Sequence, residues 1–158
     1  SIETINAGAG DDVIDLTSPT FDMAGVGVTL NGEKGNDILW AAEGDDTLNG
    51  GEGNDVLFGG AGTNILTGGA GADEFQFTMS STNDSVTDFN AAEGDTLTFF
   101  NTGGAEFDES SVSANSALNG ITIEYSLNNQ TQSLDISLNS ETWNLFVQRD
   151  NISSIEII

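Results

Sequence analysis

The sequence predicts an all-β protein, a parallel β-roll (solenoid) of nonapeptide repeats followed by a small antiparallel β cap. Three observations predict this fold. Nine-residue repeats follow one another without a gap from Gly32 to Gln76, and an isolated copy stands at Ala7–Asp15. Glycine dominates the first half of each repeat, and a large apolar residue recurs near its end. After the array, apolar and polar residues alternate as they do in half-buried antiparallel strands.

Within each repeat, a tight loop is expected to precede a short strand. The shared form is G-G-x-G-x-D-x-U-x, with U large and apolar, and its positions are numbered one to nine. Because glycine reaches positive φ readily, the G-G-x-G stretch predicts the loop. Two repeats complete one turn, so residues eighteen apart become neighbours in space. Stacked turns then bury the apolar positions, which are Ile14, Leu39, Leu48, Leu57, Leu66 and Phe75.

The chain divides into three segments. Residues 1–31 form an irregular first part of the roll, with the isolated repeat followed by a looser stretch at 16–31, and residues 32–76 form the regular array. Residues 77–158 lose the glycine period and are predicted to be a C-terminal β cap or secretion region. Ile121–Leu127 and Ser133–Leu138 alternate apolar and polar residues and predict a hairpin. Short strands are expected at 144–148 and 155–158. The absence of an initial Met suggests an excerpt from a longer protein.

Composition excludes several classes of function. The chain has 26 acidic residues and only two basic ones, Lys34 and Arg149, for a net charge of −24. Nucleic acid and anionic membranes would repel it, and no apolar run is long enough for membrane insertion. With no Cys and no His, thiolate chemistry, disulfides, the usual zinc sites and His-based catalysis are excluded. Cations are its natural partners.

The sixth position of the repeat carries the chemistry. It is Asp12, Asp37, Asp46, Asp55, Asn64 and Asp73. With two repeats per turn, Asp37, Asp55 and Asp73 stack on one side of the roll, about 4.8 Å apart, and Asp46 and Asn64 stack on the other. Ionised carboxylates this close repel one another, so a cation is expected between them. Calcium fits best, because it accepts six to eight oxygens, including the main-chain carbonyls that glycine-rich loops expose.

These repeats resemble the RTX family, the calcium-binding β-roll repeats of bacterial type I secretion substrates. The segment Asp84–Leu97 also resembles the one that follows the roll in serralysin-type proteases and alginate epimerase modules. The resemblance implies that each calcium is held by two loops eighteen residues apart, through main-chain carbonyls and the Asp at position six. The first site then consists of Glu33, Gly35, Asp37, Gly50, Glu52 and Asp55. The second consists of Ala42, Gly44, Asp46, Gly59, Ala61 and Asn64. The third consists of Gly51, Gly53, Asp55, Gly68, Ala70 and Asp73.

A fourth site follows if residues 16–31 supply one half-turn on the opposite side. It would use Gly8, Gly10 and Asp12 with Gly32, Lys34 and Asp37. About three to five calcium ions are therefore expected in all. Asn64 removes a charge and Ala41-Ala42 replaces the usual glycine pair, so the second site is expected to be the weakest.

Other acidic residues leave alternatives open. Asp84, Asp88 and Asp95 either bind a further ion near the end of the roll or serve as caps and turn residues, and Asp88 and Asp95 are included among the candidate ligands. Asp11 and Asp45, at position five, are expected to face solvent.

Three classes of function can be weighed. The resemblance implies a calcium-responsive module that folds on extracellular calcium and supports type I secretion, by the type I secretion apparatus, of a larger protein from a Gram-negative bacterium. The alternative is the terminal module of a calcium-dependent surface adhesin, whose outer face binds an unknown ligand. An ice-binding face would need Thr and Asn ladders, which positions three and five lack. Trp40, Phe58 and Trp143 could stack on a neutral sugar, but packing at a cap is the role we expect for them. Catalysis by this chain is not expected, because the repeat already accounts for its carboxylate pairs.

Overall fold

The computed structural model describes residues 4–18, 25–78 and 84–100 in full, and the backbone of four later strands. This part of the chain contains fourteen β-strands and no helix, and therefore no helix that could cross a bilayer. The strands are β1 Thr4–Ala9, β2 Val13–Asp15, β3 Thr29–Lys34, β4 Ile38–Trp40, β5 Thr47–Glu52, β6 Val56–Phe58, β7 Ile65–Ala70, β8 Glu74–Phe77, β9 Asp84–Val86, β10 Thr96–Phe99, β11 Val112–Asn115, β12 Gly120–Leu127, β13 Gln130–Leu138 and β14 Ile155–Ile157.

From β1 to β10, successive strands alternate between two sheets, as a roll with two repeats per turn requires. The larger sheet has the order β1-β3-β5-β7-β9-β13-β12-β11, and the smaller has the order β14-β10-β8-β6-β4-β2. From β1 to β10 every neighbouring pair within a sheet is parallel. The predicted parallel β-roll is therefore confirmed, with about four turns.

The register between turns follows the repeat. Leu48 pairs with Leu66, and Leu39 pairs with Leu57, each eighteen residues along the chain. Between the first two turns the offset is 25 residues, because Ile14 pairs with Leu39. The segment 16–31 thus contains a half-turn and seven residues more than the regular offset requires (25 − 18). Strand β3 begins within this segment, at Thr29. The condition attached to the fourth calcium site is met.

The core is a column of apolar side chains between the two sheets. Fully buried members come from position eight of successive repeats and include Leu39, Leu57 and Phe75 in the smaller sheet, with Leu48 and Leu66 in the larger one. Burying one such side chain contributes roughly 1.5–3 kcal/mol. The predicted apolar stack is confirmed, although Ile14, in the first turn, is only partly buried.

The roll extends beyond Gln76, where the sequence predicted only antiparallel structure. Strands β9 and β10 pair parallel with β7 and β8, and they place Val86 and Leu97 in the core column. The glycine period is absent there, but an apolar residue still points inward from each strand. A roll requires an apolar side chain in the core from each strand, and β9 and β10 both supply one. The roll therefore continues although the glycine-rich repeat has ended.

Later strands attach to the end of the roll. β12 and β13 pair antiparallel, with Leu127 opposite Gln130, at the place where the alternation predicted a hairpin. β11 pairs antiparallel with β12, β13 joins β9 in parallel, and β14 joins β10 in parallel. The strand expected at 144–148 lies outside the described residues. That these strands serve as a cap stays a prediction.

Candidate metal centre

Two ladders of hydrogen bonds join the residues at position six of successive turns. On one side, the amides of Asp12, Asp37 and Asp55 each donate to Oδ1 of the corresponding Asp in the next turn, at 2.8–2.9 Å. On the other side, the Asp46 amide donates to Asn64 Oδ1 at 3.0 Å. The predicted stacking of the aspartates is confirmed. One carboxylate oxygen of each rung is therefore committed to holding the next turn in register.

The second carboxylate oxygen is buried in four of the stacked aspartates. Asp37, Asp55 and Asp73 are each 1% exposed and Asp46 is 2% exposed, and Oδ2 of all four accepts no hydrogen bond. Leaving a buried carboxylate oxygen without a partner is unfavourable, more so when the group is charged. A bound cation would compensate for it.

Glycine at position one leaves a cradle around these oxygens. A Cβ atom on Gly32 would overlap with both Asp37 Oδ2 and the carbonyl oxygen of Gly50 in the next turn. A Cβ atom on Gly50 would overlap in the same way with Asp55 Oδ2 and with the carbonyl oxygen of Gly68. A carboxylate oxygen and a carbonyl oxygen of adjacent turns thus converge beside each glycine. These pairs belong to the first and third predicted sites.

The electrostatics of the ladder favour a neutralising partner. Burial raises the pKa of Asp55 and of Asp73 from 3.8 to about 6, although a main-chain hydrogen bond opposes this, and neighbouring carboxylates raise it further. Burial is also the main reason that the pKa values of Asp46 and Asp95 are raised. The ladder therefore takes up a proton more readily than a free Asp, and a cation can replace that proton.

The donor set points to a hard metal ion held largely by the main chain. No group of three or more acidic side chains converges on one point within 4–18, 25–78 and 84–100. The first and third predicted sites each combine two carboxylates with several carbonyls, and this is an oxygen set that suits calcium. Magnesium fits less well because it requires a tight octahedron and retains its waters.

The predicted carbonyl ligands lie in the loops between turns, and some already accept hydrogen bonds. The carbonyls of Lys34, Glu52 and Ala70 accept N–H groups from the preceding turn at 2.8 Å. A carbonyl has two lone pairs, so this does not prevent metal ligation. The Lys34 side chain lies apart on the surface, where its Nζ is 2.6 Å from Glu52 Oε1. That the carbonyls of Lys34, Glu52 and Ala70 bind calcium stays a prediction.

The opposite side of the roll differs where the sequence departs from the repeat. Ala41 stands at position one, and its fully buried methyl group occupies the place that glycine leaves open elsewhere. Asn64 Nδ2 donates to Asp84 Oδ1 at 3.0 Å, while Asn64 Oδ1 accepts from the Asp46 amide. In the segment 25–31, Val28 takes the place of an Asp and its amide donates to Asp46 Oδ1. This side thus carries fewer carboxylates, in line with the expected weaker second site.

Three acidic residues beyond the array have defined roles in the structure. Asp84 Oδ1 accepts from the Asn64 amide and Asp95 Oδ1 accepts from the Asp73 amide, so both continue the ladders. The paired residues are 20 and 22 positions apart instead of eighteen, so the repeat period did not reveal that the ladders continue. Both oxygens of Asp88 accept N–H groups, from Gly68 and Gly69. These contacts favour a turn-capping role for Asp88, one of the two roles left open by the sequence.

Two further ladders on the surface were missed. At position five, the carboxylate of Asp11 accepts from the Asn36 amide, and that of Asp45 accepts from the Thr63 amide. These side chains are exposed, as expected, but they also bind the next turn. At position nine, Asn49 Nδ2 donates to Asn31 Oδ1 at 2.7 Å. The recurrence of Asp or Asn at positions five and nine could have predicted these hydrogen bonds between turns.

Comparison with known proteins agrees with this chemistry. Residues 2–17, 29–57 and 40–75 match the model of the RTX calcium-binding nonapeptide repeat, in four copies. The roll is an RTX calcium-binding roll. One similar solved structure is the solution structure of the AlgE6R3 subunit from the Azotobacter vinelandii mannuronan C5-epimerase, with 19% identity, a TM-score of 0.34, and coverage of 94% of this chain and 78% of that one. No curated protein matches.

RTX nonapeptide repeats bind calcium, and the buried oxygens of this roll fit that ion. The residues that would hold it are Asp37, Asp46, Asp55 and Asp73 together with carbonyls of the adjoining loops. When bound, calcium would neutralise the stacked carboxylates and join neighbouring turns.

We expect the metal-free RTX roll to lose stability as the pH rises from about 4 to about 6. The pKa values of Asp55 and Asp73 are about 6 in the roll, against 3.8 for an ordinary Asp. Between these values the folded chain binds more protons than the unfolded chain. This stabilisation is fully present below 3.8 and is lost as the pH passes 6. Urea unfolding in a chelator across this range measures it.

The matched variants for this experiment are Asp55→Asn and Glu43→Gln. Asp55→Asn removes a buried titrating group and should flatten the pH dependence. Glu43→Gln removes one exposed charge and should leave the dependence unchanged. A metal-free roll that became more stable over this pH range would contradict the prediction.

We expect Asn64→Asp to strengthen calcium binding on the weaker side by roughly tenfold, because the ligand charge increases. Without metal the same change should destabilise the roll, since the hydrogen bond from Asn64 Nδ2 to Asp84 becomes a contact between two acids. Calorimetric calcium titration measures the first effect, and the pH at which the metal-free roll unfolds measures the second. Asn54→Asp adds the same charge at an exposed position and is the control. Equal effects of the two variants would refute a specific role for position 64.

Proposed function

We propose that the chain is a calcium-responsive folding module that remains open where calcium is scarce and folds into the RTX roll where calcium is abundant. The observation that carries the proposal is the ladder of buried aspartates with unpartnered Oδ2 atoms. Without metal these charges oppose folding, and with metal they join the turns. The free energy of calcium binding is then also free energy of folding. About three to five ions would stack along the ladders.

This switch suits export of a larger protein. An open chain can pass through the narrow channel of a type I secretion apparatus, and calcium outside the cell then folds it. RTX repeats typically belong to secreted proteins, which supports this location. We propose that the parent protein is secreted, or held at the surface, by a Gram-negative bacterium. The module itself would be non-catalytic, since its stacked acids are engaged in the ladders.

A calcium titration of the metal-free protein, followed by circular dichroism, tests the switch. We expect a cooperative transition from coil to β-structure with calcium, and none with magnesium at the same concentration. Because Asp55 belongs to two predicted sites, Asp55→Ala should raise the calcium midpoint by at least about tenfold. Glu43→Ala alters an exposed acid and should shift the midpoint little. A metal-free protein that is already fully folded at neutral pH would refute the switch while leaving calcium binding intact.

A second candidate function is ligand binding by the outer face of the smaller sheet. Trp40, Phe58 and Gln76 occupy paired positions on β4, β6 and β8. With Phe100 and two threonines they line a groove of about 370 Å³, within the range of small-ligand sites. Aromatic rings along one groove can stack on a neutral sugar, and the net charge of −24 disfavours polyanions.

NMR titration of the calcium-loaded protein with neutral oligosaccharides, such as the cello- and malto-series, tests this candidate. We expect shifts at Trp40 and Phe58, and Phe58→Ala should weaken binding by at least about tenfold. Ile65→Ala, on the larger sheet, is the control and should bind normally. If neither series shifts the groove resonances, the sugar-binding candidate is wrong.

A further inference from the structure

Two asparagines of the larger sheet are each followed by a glycine that begins a loop with candidate calcium ligands. Asn31-Gly32 lies on β3, and Asn49-Gly50 lies at the same place on β5, one turn later. Asn31 and Asn49 pair with each other and are half-buried, so water can reach both side chains. A third Asn-Gly pair, at 119–120, lies outside the residues that the structure describes in full.

Asparagine before glycine can undergo a spontaneous reaction that needs only water. The main-chain nitrogen of the glycine attacks the side-chain Cγ, which closes a five-membered succinimide ring. The bond from Cγ to Nδ2 breaks, and this nitrogen leaves as ammonia with the proton that the attacking amide loses. Water then opens the ring at either carbonyl, and the product is Asp or isoaspartate, whose main chain runs through the former side chain. Glycine favours the attack, because it has no Cβ to obstruct the approach.

The folded roll opposes this ring closure at both asparagines. Each lies in an extended strand, and ring closure requires the side chain to turn towards the next main-chain nitrogen. Asn49 Nδ2 donates to Asn31 Oδ1, and Asn31 Nδ2 donates to Asn6 Oδ1, both at 2.7 Å. These hydrogen bonds hold the amide groups along the ladder and away from the following glycine. An open chain has neither constraint.

The reaction at Asn49 would alter a candidate calcium site directly. The carbonyl oxygen of Gly50 lies with Asp37 Oδ2 beside Gly32, within the first predicted site. Isoaspartate at position 49 would add one carbon atom to the main chain immediately before this carbonyl. The carbonyl would then move relative to the carboxylate with which it shares the ion.

The added carbon would also disturb the pairing of β5 with β7. In the roll, Leu48 pairs with Leu66 and Gly51 pairs with Gly69, one on each side of Asn49. A longer main chain between Leu48 and Gly51 cannot keep both pairings. Because register decides which side chains reach the core, the modified turn would no longer stack correctly.

We propose that Asn31-Gly32 and Asn49-Gly50 are spontaneous deamidation sites that react in the open chain and are protected in the calcium-loaded roll. Once isoaspartate has formed, the chain no longer closes on calcium. A chain that remains open too long therefore loses its ability to fold. The protection by calcium rests on the proposed folding switch, whereas the assignment of the two sites does not.

Two other asparagines provide references within the same chain. Asn36 and Asn54 are exposed, but they are followed by Asp37 and Asp55 instead of glycine. A side chain on the following residue obstructs the attack. If exposure alone governed the reaction, Asn36 and Asn54 would react before the half-buried Asn31.

Peptide mapping by mass spectrometry tests the proposal on protein kept at neutral pH for increasing times. The samples are metal-free, calcium-loaded, and unfolded in guanidinium chloride. We expect Asn31 and Asn49 to convert at least about tenfold more slowly in the calcium-loaded protein than in the other two samples, because the reaction follows the fraction of chains that are open. In the unfolded sample both should convert faster than Asn54.

Calcium-induced folding of the aged protein is the second measurement, followed by circular dichroism. After storage without metal, the fraction of chains that fold on calcium addition should fall as the isoaspartate content rises. The double variant Asn31→Gln with Asn49→Gln should keep folding, because glutamine would have to close a less favourable six-membered ring. Asn54→Gln is the matched control and should age as the parent does.

Each step of the proposal has an outcome that would overturn it. Conversion of Asn31 and Asn49 no faster than that of Asn54 in the unfolded sample would rule out the sites. Equally fast conversion with and without calcium would rule out the protection. Equally slow conversion in both, with fast conversion in guanidinium, would keep the sites and refute the folding switch instead. An aged parent that folds completely despite its isoaspartate would rule out the loss of folding.

Discussion

The structure depends on the contact between an aspartate and the main chain of the neighbouring turn. One oxygen of each stacked carboxylate accepts an amide from the turn before it, and the other lies buried beside a glycine of its own loop. The first oxygen holds the turns in register. The second is a buried charge that calcium would neutralise. Register and calcium binding are therefore expected to depend on the same side chain, and a change at Asp55 should affect both.

The glycines are a consequence of this arrangement. Loops of adjacent turns lie so close that a carbonyl of one turn contacts the α-carbon of the next, as at Gly53. A side chain there would push the turns apart and separate the oxygens that a shared cation requires. At position one, glycine leaves room for the carboxylate, whereas the methyl group of Ala41 fills that room on the side with fewer acids. The composition of the repeat is thus set by distances between turns as much as by backbone conformation.

Much of the roll could be predicted from the sequence, because the nine-residue period determines which residues stack in adjacent turns. Asp37, Asp55 and Asp73 are equally spaced, and they stack as that spacing requires. Asp84 and Asp95 continue the two ladders, but short insertions displace them along the chain, so the eighteen-residue spacing did not show that they belong to them. Position five was interpreted as solvent-facing. Exposure was correct, yet an exposed carboxylate can still bind an amide of the next turn, and hydropathy does not reveal that contact.

The seven additional residues between the first two turns show how this architecture tolerates variation. Despite these residues, β3 pairs in register with β1, β4 pairs in register with β2, and the hydrogen bond from the Asp12 amide to Asp37 is intact. Closing a longer loop costs little, because the entropy grows only with the logarithm of its length. Corners of the roll are therefore places where evolution or a protein engineer can insert new segments. The stacked framework can carry such loops along its length while the contacts that hold its turns together stay the same.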